Sequence, residues 1–150
     1  MRKILATAAT LGLASLGAIV PASSAQASTT CDNAWHSTGD GYFRAYEAIN
    51  CNRLLGTDKD NDTNWADSVG GFRGSANDAA TSLLHKGTSG MAVKVYQHKS
   101  YGGGHICLTK AELYMDAISG FKYTNGAEVN NSISSHQWVW NSDCGKFLDD

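Results

Sequence analysis

A chain of 150 residues with 12 Lys and Arg, 14 Asp and Glu and a formal net charge of −2 has the length of one compact domain and no strong excess of either sign. Basic residues beyond the N-terminus stand singly (Arg44, Arg53, Lys59, Arg73, Lys86, Lys94, Lys99, Lys110, Lys122, Lys146), so no stripe exists that would neutralise phosphates. Nucleic acid is therefore excluded as the expected partner.

The first 27 residues combine a basic start (Arg2, Lys3), an apolar run over 4–20 and the small-residue exit Ala25-Gln26-Ala27. This is the pattern of a secretory signal peptide. A membrane anchor fits less well, because the run is rich in Ala, Gly, Ser and Thr and barely reaches spanning length. Export with Ser28 as the new first residue is expected, giving an extracellular protein with no membrane attachment. The remaining 123 residues lose Arg2 and Lys3 and carry a net charge of −4, and the one proline, Pro21, leaves with the leader.

Residues 28–40 form an N-terminal arm with no clear element. Residues 41–46 open the first alternating segment, and 81–85 read as the strand that closes it. Met91-Ala92-Val93-Lys94-Val95-Tyr96 alternates and is β-branched, Tyr101-Gly102-Gly103-Gly104 makes a turn, and 105–108 resumes as a strand, which together predict a hairpin. Residues 111–115 are compatible with one helical turn, and 134–140 read as a final strand before a tail at 141–150. Short strands, a turn about every ten residues and a long return segment in each half predict an all-β sandwich of two Greek keys, about 41–87 and about 91–140, within a domain at 41–140. A monomer is expected.

All four cysteines, Cys31, Cys51, Cys107 and Cys144, follow the leader, and an even number in an exported chain reads as two disulfides. Three pairings can be drawn; the shortest-loop choice joins Cys31 to Cys51 and Cys107 to Cys144. With no Cys-x-x-Cys spacing, a zinc site is not expected.

One six-residue pattern occurs twice, as Asn77-Asp78-Ala79-Ala80-Thr81-Ser82 and Asn130-Asn131-Ser132-Ile133-Ser134-Ser135. The copies lie 53 residues apart, and Tyr46 and Tyr96 recur at a distance of 50, so a whole structural unit is duplicated. One such cluster alone is ordinary turn chemistry, since Asn, Asp and Ser bond nearby backbone. Two at matched positions concentrate oxygen donors of the kind a hard cation takes.

With these residues the chain resembles the microbial calcium-binding βγ-crystallin family, in which each Greek key carries an aromatic, four residues, an aromatic, any residue and glycine, followed about 30 residues later by the oxygen-rich motif. The second half matches with Tyr96, Tyr101 and Gly103. The first matches at Tyr46, but Cys51 and Arg53 stand where an aromatic and a glycine are expected, and a disulfide at Cys51 would take over the missing packing. The resemblance implies a βγ-crystallin-like sandwich with one or two Ca2+ ions, each held by both keys. It assigns as ligands the side chains of Asp78, Asn131, Thr81 and Ser134 and the backbone carbonyls of Ala79, Ser132, Glu47 and Gln97. Ser82 and Ser135 are assigned to the hairpins of their own keys. With Asp78 the only motif carboxylate, affinity falls in the weak extracellular range near about 10⁻⁴ M.

The stretch Asp58-Lys59-Asp60-Asn61-Asp62 starts like an EF-hand loop but has Thr63 and Val69 where Gly and Glu are required, so it is read as a solvated acidic loop able at most to collect a loosely held ion. The five histidines (His36, His85, His98, His105, His136) form no metallopeptidase helix, no Gly-x-Ser-x-Gly elbow exists, and no enzyme is expected. Each histidine is assigned to the surface or a hairpin, and core packing is the default role of Trp35, Trp65, Trp138 and Trp140, at least for Trp138 in the last strand. The resemblance leaves a second function: a secreted inhibitor of an extracellular peptidase, metallopeptidases above all, or a killer-toxin-like protein on the same fold, acting through residues 56–71 or the tail.

Overall fold

The computed structural model describes residues 29–149, so the expected signal peptide at 1–27 lies outside the described residues. Strands β1 (Tyr42–Ala48) and β2 (Asn52–Asp58) form a hairpin, and β3 (Ser82–Lys86) returns along the other side of β1. The second half repeats this with β4 (Ala92–His98), β5 (Gly102–Leu108) and β7 (Ser135–Val139). Between them lies the short β6 (Tyr114–Met115), and β8 (Phe147–Leu148) ends the chain. One sheet has the order β2-β1-β3-β6, the other β7-β4-β5-β8.

The two keys interlock. β6 belongs to the second key by sequence but pairs with β3 of the first, through Leu83 with Met115 and Leu84 with Tyr114. In return Asp62, from the segment after β2, bridges His136 on β7. Each key thus hands its third segment to the other key's sheet, which makes the sandwich one cooperative unit.

Alternation along the strands sorts the side chains. Ala45, Leu83 and Met115 face inward with Val93, Val95, Ile106 and Leu108, where they meet Phe43, Trp65, Phe72 and Ile133. Tyr46, Leu84 and Tyr114 belong instead to a second cluster on the opposite face. That face is covered by α1 (Thr29–Ser37), which contributes Cys31, Ala34 and Trp35. The Cys31–Cys51 disulfide ties the helix down, and Cys107–Cys144 ties the C-terminal segment to β5, so the pairing follows the shortest loops.

The two hairpins turn identically despite their different sequences. Asn50, Cys51 and Arg53 have φ of 59°, 52° and 61°, against 57°, 59° and 75° for Ser100, Tyr101 and Gly103. Arg53 therefore holds a left-handed conformation that glycine takes freely, at a cost of about 1–2 kcal/mol. Its guanidinium lies 2.7 Å from the Glu47 carboxylate across the hairpin. In the second hairpin Tyr101 packs on Tyr96 at 5.4 Å; in the first, Cys51 and its disulfide partner occupy the cluster around Tyr46.

Several expectations are corrected. Residues 111–115 are not helical: Leu113 has φ +61°, its carbonyl accepts His85 N–H, and the chain continues into β6. The arm contains a helix, and the tail contains a strand paired in parallel with β5. The acidic stretch is not simply solvated. Asp58 and Asp62 are buried, and their carboxylates accept backbone N–H groups from Asp60, Gly71, Asn64 and Phe72. His85 and His136 are buried in strands rather than at the surface, and of the four indoles Trp65 is fully buried and Trp138 packs partly covered against the same core, whereas Trp140 is exposed.

Candidate metal centre

Both oxygen-rich motifs sit just before a closing strand, β3 or β7, and each starts with a kink. Asp78 and Asn131, the second residues of their motifs, have φ of 55° and 54°, a conformation Asn and Asp tolerate because their short side chains bond locally. The kinked segments cross-brace the keys: Asp78 N–H donates to Ile133 O at 3.0 Å, and Asn131 N–H donates to Ala80 O at 2.9 Å. Further along, Thr81 N–H donates to Tyr46 O and Ser134 N–H to Tyr96 O, which sets each motif beside the hairpin tyrosine of its own key.

This bracing brings residues of different keys together. Ser134 Oγ lies 3.0 Å from Asp78 Oδ1 and 3.0 Å from the carbonyl of Gln97, which stands at the irregularity in the β4–β5 ladder. A hydroxyl has one proton, so three oxygens converge here with one hydrogen among them. Asn77 Nδ2 donates to Asp78 Oδ2 at 2.7 Å and orients the carboxylate, a role the sequence reading did not give it. Asp78 itself is exposed, so solvent reaches the cluster. At the related position Thr81 Oγ1 donates to Asn131 Oδ1 at 3.2 Å. The Glu47 side chain is engaged by Arg53. Ser132 O already accepts the Tyr123 hydroxyl at 3.2 Å, and burial raises the pKa of that phenol, which keeps it a donor. The Ala79 carbonyl receives no hydrogen bond among the described residues.

The two clusters differ in how well they fit a cation. Ca2+ asks for six to eight oxygens at about 2.3–2.6 Å. The Asp78 cluster offers a carboxylate, a hydroxyl and a carbonyl already converging on an exposed residue. The Asn131 cluster offers neutral oxygens alone, one of them partly engaged. Among the described residues no three His, Cys, Asp or Glu side chains come together, so these sites depend on mixed oxygen donors.

Ser82 and Ser135, the last motif residues, are fully buried hairpin clamps. Ser82 Oγ donates to Ala48 O at 2.7 Å and accepts Cys51 N–H at 3.0 Å; Ser135 Oγ does the same with His98 O and Tyr101 N–H. Ser82→Ala strands a buried N–H and a carbonyl, and is expected to cost about 1–3 kcal/mol. Urea unfolding in excess EDTA should register that loss undiminished, since it does not involve a cation.

No protein-family model matches the chain, and no curated protein matches it. Among solved structures it is similar to one concerned with the evolution of the eye lens βγ-crystallin domain fold, with a TM-score of 0.50 and 16% identity over 67% of this chain and 89% of the other. The two four-stranded sheets and their exchanged third segments are thus a βγ-crystallin domain fold.

Proposed function

We propose that this is an exported, non-catalytic calcium-binding module in which Ca2+ bridges the two Greek keys and stabilises the folded state. The observation that carries the reading is the convergence of Asp78 Oδ1, Ser134 Oγ and Gln97 O, drawn from both keys, around a single hydroxyl proton. Export is supported by the signal-like leader and by two disulfides, which persist in oxidising compartments. Among the described residues no helix is long and apolar enough to cross a membrane. The bound ion supplies charge neutralisation and a cross-link; the chain's own part is to hold the oxygens in place.

A ligand that binds only the native state stabilises it by RT ln(1 + [L]/Kd), so about 10 mM Ca2+ at a Kd near 10⁻⁴ M contributes about 2.7 kcal/mol. Thermal unfolding followed by Trp fluorescence should show a midpoint higher by about 10 °C in CaCl2 than in EDTA, with no such rise in MgCl2. Asp78→Asn keeps the left-handed backbone and removes the charge; it should leave the EDTA midpoint nearly unchanged and abolish most of the calcium shift. Superimposable curves in EDTA and CaCl2 would remove the reading.

A second reading, peptidase inhibition, is favoured by one observation. Val69 is 72% exposed on a loop fixed from within, where Asp67 Oδ1 accepts Val69 N–H at 2.8 Å, Arg73 Nε donates to Gly70 O, and Gly74 N–H donates to Asp67 O. An apolar side chain on a rigid loop suits entry into a cleft. Sub-micromolar inhibition of a zinc or serine peptidase, insensitive to chelator for the latter and lost in Val69→Asp, would bring this reading forward.

A further inference from the structure

At the end of the sandwich opposite the oxygen clusters, the linker between the keys separates two cavities, of ≈ 330 and ≈ 230 Å³, that share Gly87 and Thr88 as a common wall. Gly87 follows Ser82 by five residues of extended chain, which places this region on the order of 16 Å from the clamp serines. Each cavity has one indole in its wall: Trp138 in the larger, Trp35 in the smaller. We propose that these cavities are adjoining subsites for a carbohydrate chain of two or more pyranose rings, with Trp138 as the principal stacking plate.

Three features carry this assignment. The indoles are immobilised through one residue, His85. Trp35 Nε1 donates to His85 O at 3.1 Å, and the imidazole meets the Trp138 ring edge-on at 5.1 Å. The imidazole is itself fixed, since Nδ1 accepts Gly87 N–H and Nε2 bonds Met91 O. Gly87 is dictated by the same arrangement, because a Cβ there would lie 2.5 Å from Trp138 Cζ3. Backbone and aromatic plate are thus fitted to each other, and a preset plate loses little freedom when a ligand stacks on it.

The second feature is the polar lining of the larger cavity. Asn61 Oδ1 accepts the Trp138 backbone N–H at 2.8 Å, which leaves its Nδ2 donors unused among the described residues. The Asp60 carboxylate and the Thr88 hydroxyl have no hydrogen-bond partner among the described residues, and Ser89 Oγ has only a 3.5 Å contact with Met91 N. A carboxylate, an amide and two hydroxyls supply both donors and acceptors beside an aromatic face, which is the complement of a sugar ring with hydroxyls at its edge and C–H groups on its face.

The third is charge. Lys59, held over the Tyr42 ring at 4.4 Å, and Asp60 offset each other in the larger cavity; in the smaller, Lys86 lies 3.8 Å from Asp40 and 4.2 Å over the Trp35 ring, and Lys110 adds one positive charge. The larger cavity, which holds the principal plate, thus does not select an ionic ligand, and with Trp138 and Met91 the main apolar groups in its wall it does not suit a lipid.

The test is titration of the mature, oxidised protein with cello-, xylo- and chitotetraose, followed by Trp fluorescence and calorimetry, in EDTA and again in CaCl2. Saturable binding of at least one of them is expected, unchanged by the chelator, so the result stands apart from the calcium reading. Trp138→Ala should abolish it. Because that change also removes packing, Asp60→Ala and Thr88→Ala, both at exposed positions, should weaken binding about ten-fold each with an unaltered unfolding midpoint. No binding of any of the three sugars at millimolar concentration, or binding indifferent to Trp138 and Asp60, would overturn the proposal.

Discussion

Replacing Trp65 by Ala is expected to cost about 3–5 kcal/mol, a large part of the stability of a domain this size. The indole is wholly buried, stacks on Phe72 at 4.0 Å with the rings nearly parallel, and lies 6.3 Å from Phe43. Its Nε1–H donates to His136 Nδ1 at 3.0 Å, and its backbone N–H donates to Ser134 O at 2.9 Å. Truncation therefore opens a cavity and also strands a buried acceptor. Trp65→Phe keeps a six-membered ring against Phe72 but removes the donor together with the pyrrole part of the indole, and should cost less, about 1–3 kcal/mol. Urea unfolding monitored by circular dichroism measures both. Equal costs for the two variants would show that packing contributes little and that the account of the core is wrong.

Nothing in the sequence singled out Trp65 as the most deeply buried of the four indoles, for a physical reason. It sits in a stretch of Asp, Asn, Ser and Gly whose composition reads as a hydrated loop, and the sequence assigned Asp58 to Asp62 to solvent accordingly. The segment is held inside by what it pairs with some 70 residues away: Asp62 with His136 by backbone bonds in both directions, Asn61 with Trp138, Trp65 with His136. Such long-range partners leave no periodicity in the local chain. The second hairpin was readable because its alternation and glycines are local, and the duplicated motif because its period exposes it. Helix α1 was not readable, since Thr-Thr-Cys-Asp-Asn-Ala-Trp-His-Ser has weak intrinsic helicity and is held by the disulfide and the Trp35 bond to β3. Of the eight expected ligands, Asp78, Gln97 and Ser134 meet in one cluster and Thr81 meets Asn131 in another. Spacing gave the correspondence between the keys and residue type the single motif carboxylate, but neither showed that Asp78 meets Gln97 and Ser134 while Ser132 O is already engaged by Tyr123.

Acid should unfold this protein through His136. Its ring is completely buried, with Nδ1 accepting from Trp65, so Nε2 carries the proton and donates to Asp60 O at 3.0 Å. A neutral imidazole satisfies both partners; a protonated one has a donor facing a donor at Nδ1. Burial, with the neighbouring Asp58 opposing it, lowers the pKa from 6.5 to about 4. Between those values the unfolded chain binds the proton and the folded chain does not, so stability is fully present above pH 6.5 and is lost as pH falls toward 4. The full difference is about 3 kcal/mol. His85, also lowered by burial, acts in the same direction. Asp62, whose pKa burial raises above 3.8, acts oppositely, its contribution lost as pH rises through that lower range. Urea midpoints measured from pH 7.5 down to 4.5 should therefore fall steeply. His136→Asn keeps an acceptor for Trp65 and cannot titrate; it should be less stable at pH 7.5 yet lose much less on acidification. Trp65→Phe, which leaves Nδ1 free to take a proton, should move the wild-type fall to higher pH. If His136→Asn instead loses as much as the wild type between pH 7.5 and 4.5, the acid sensitivity resides elsewhere, and His85 at the two-cavity end becomes the group to replace next.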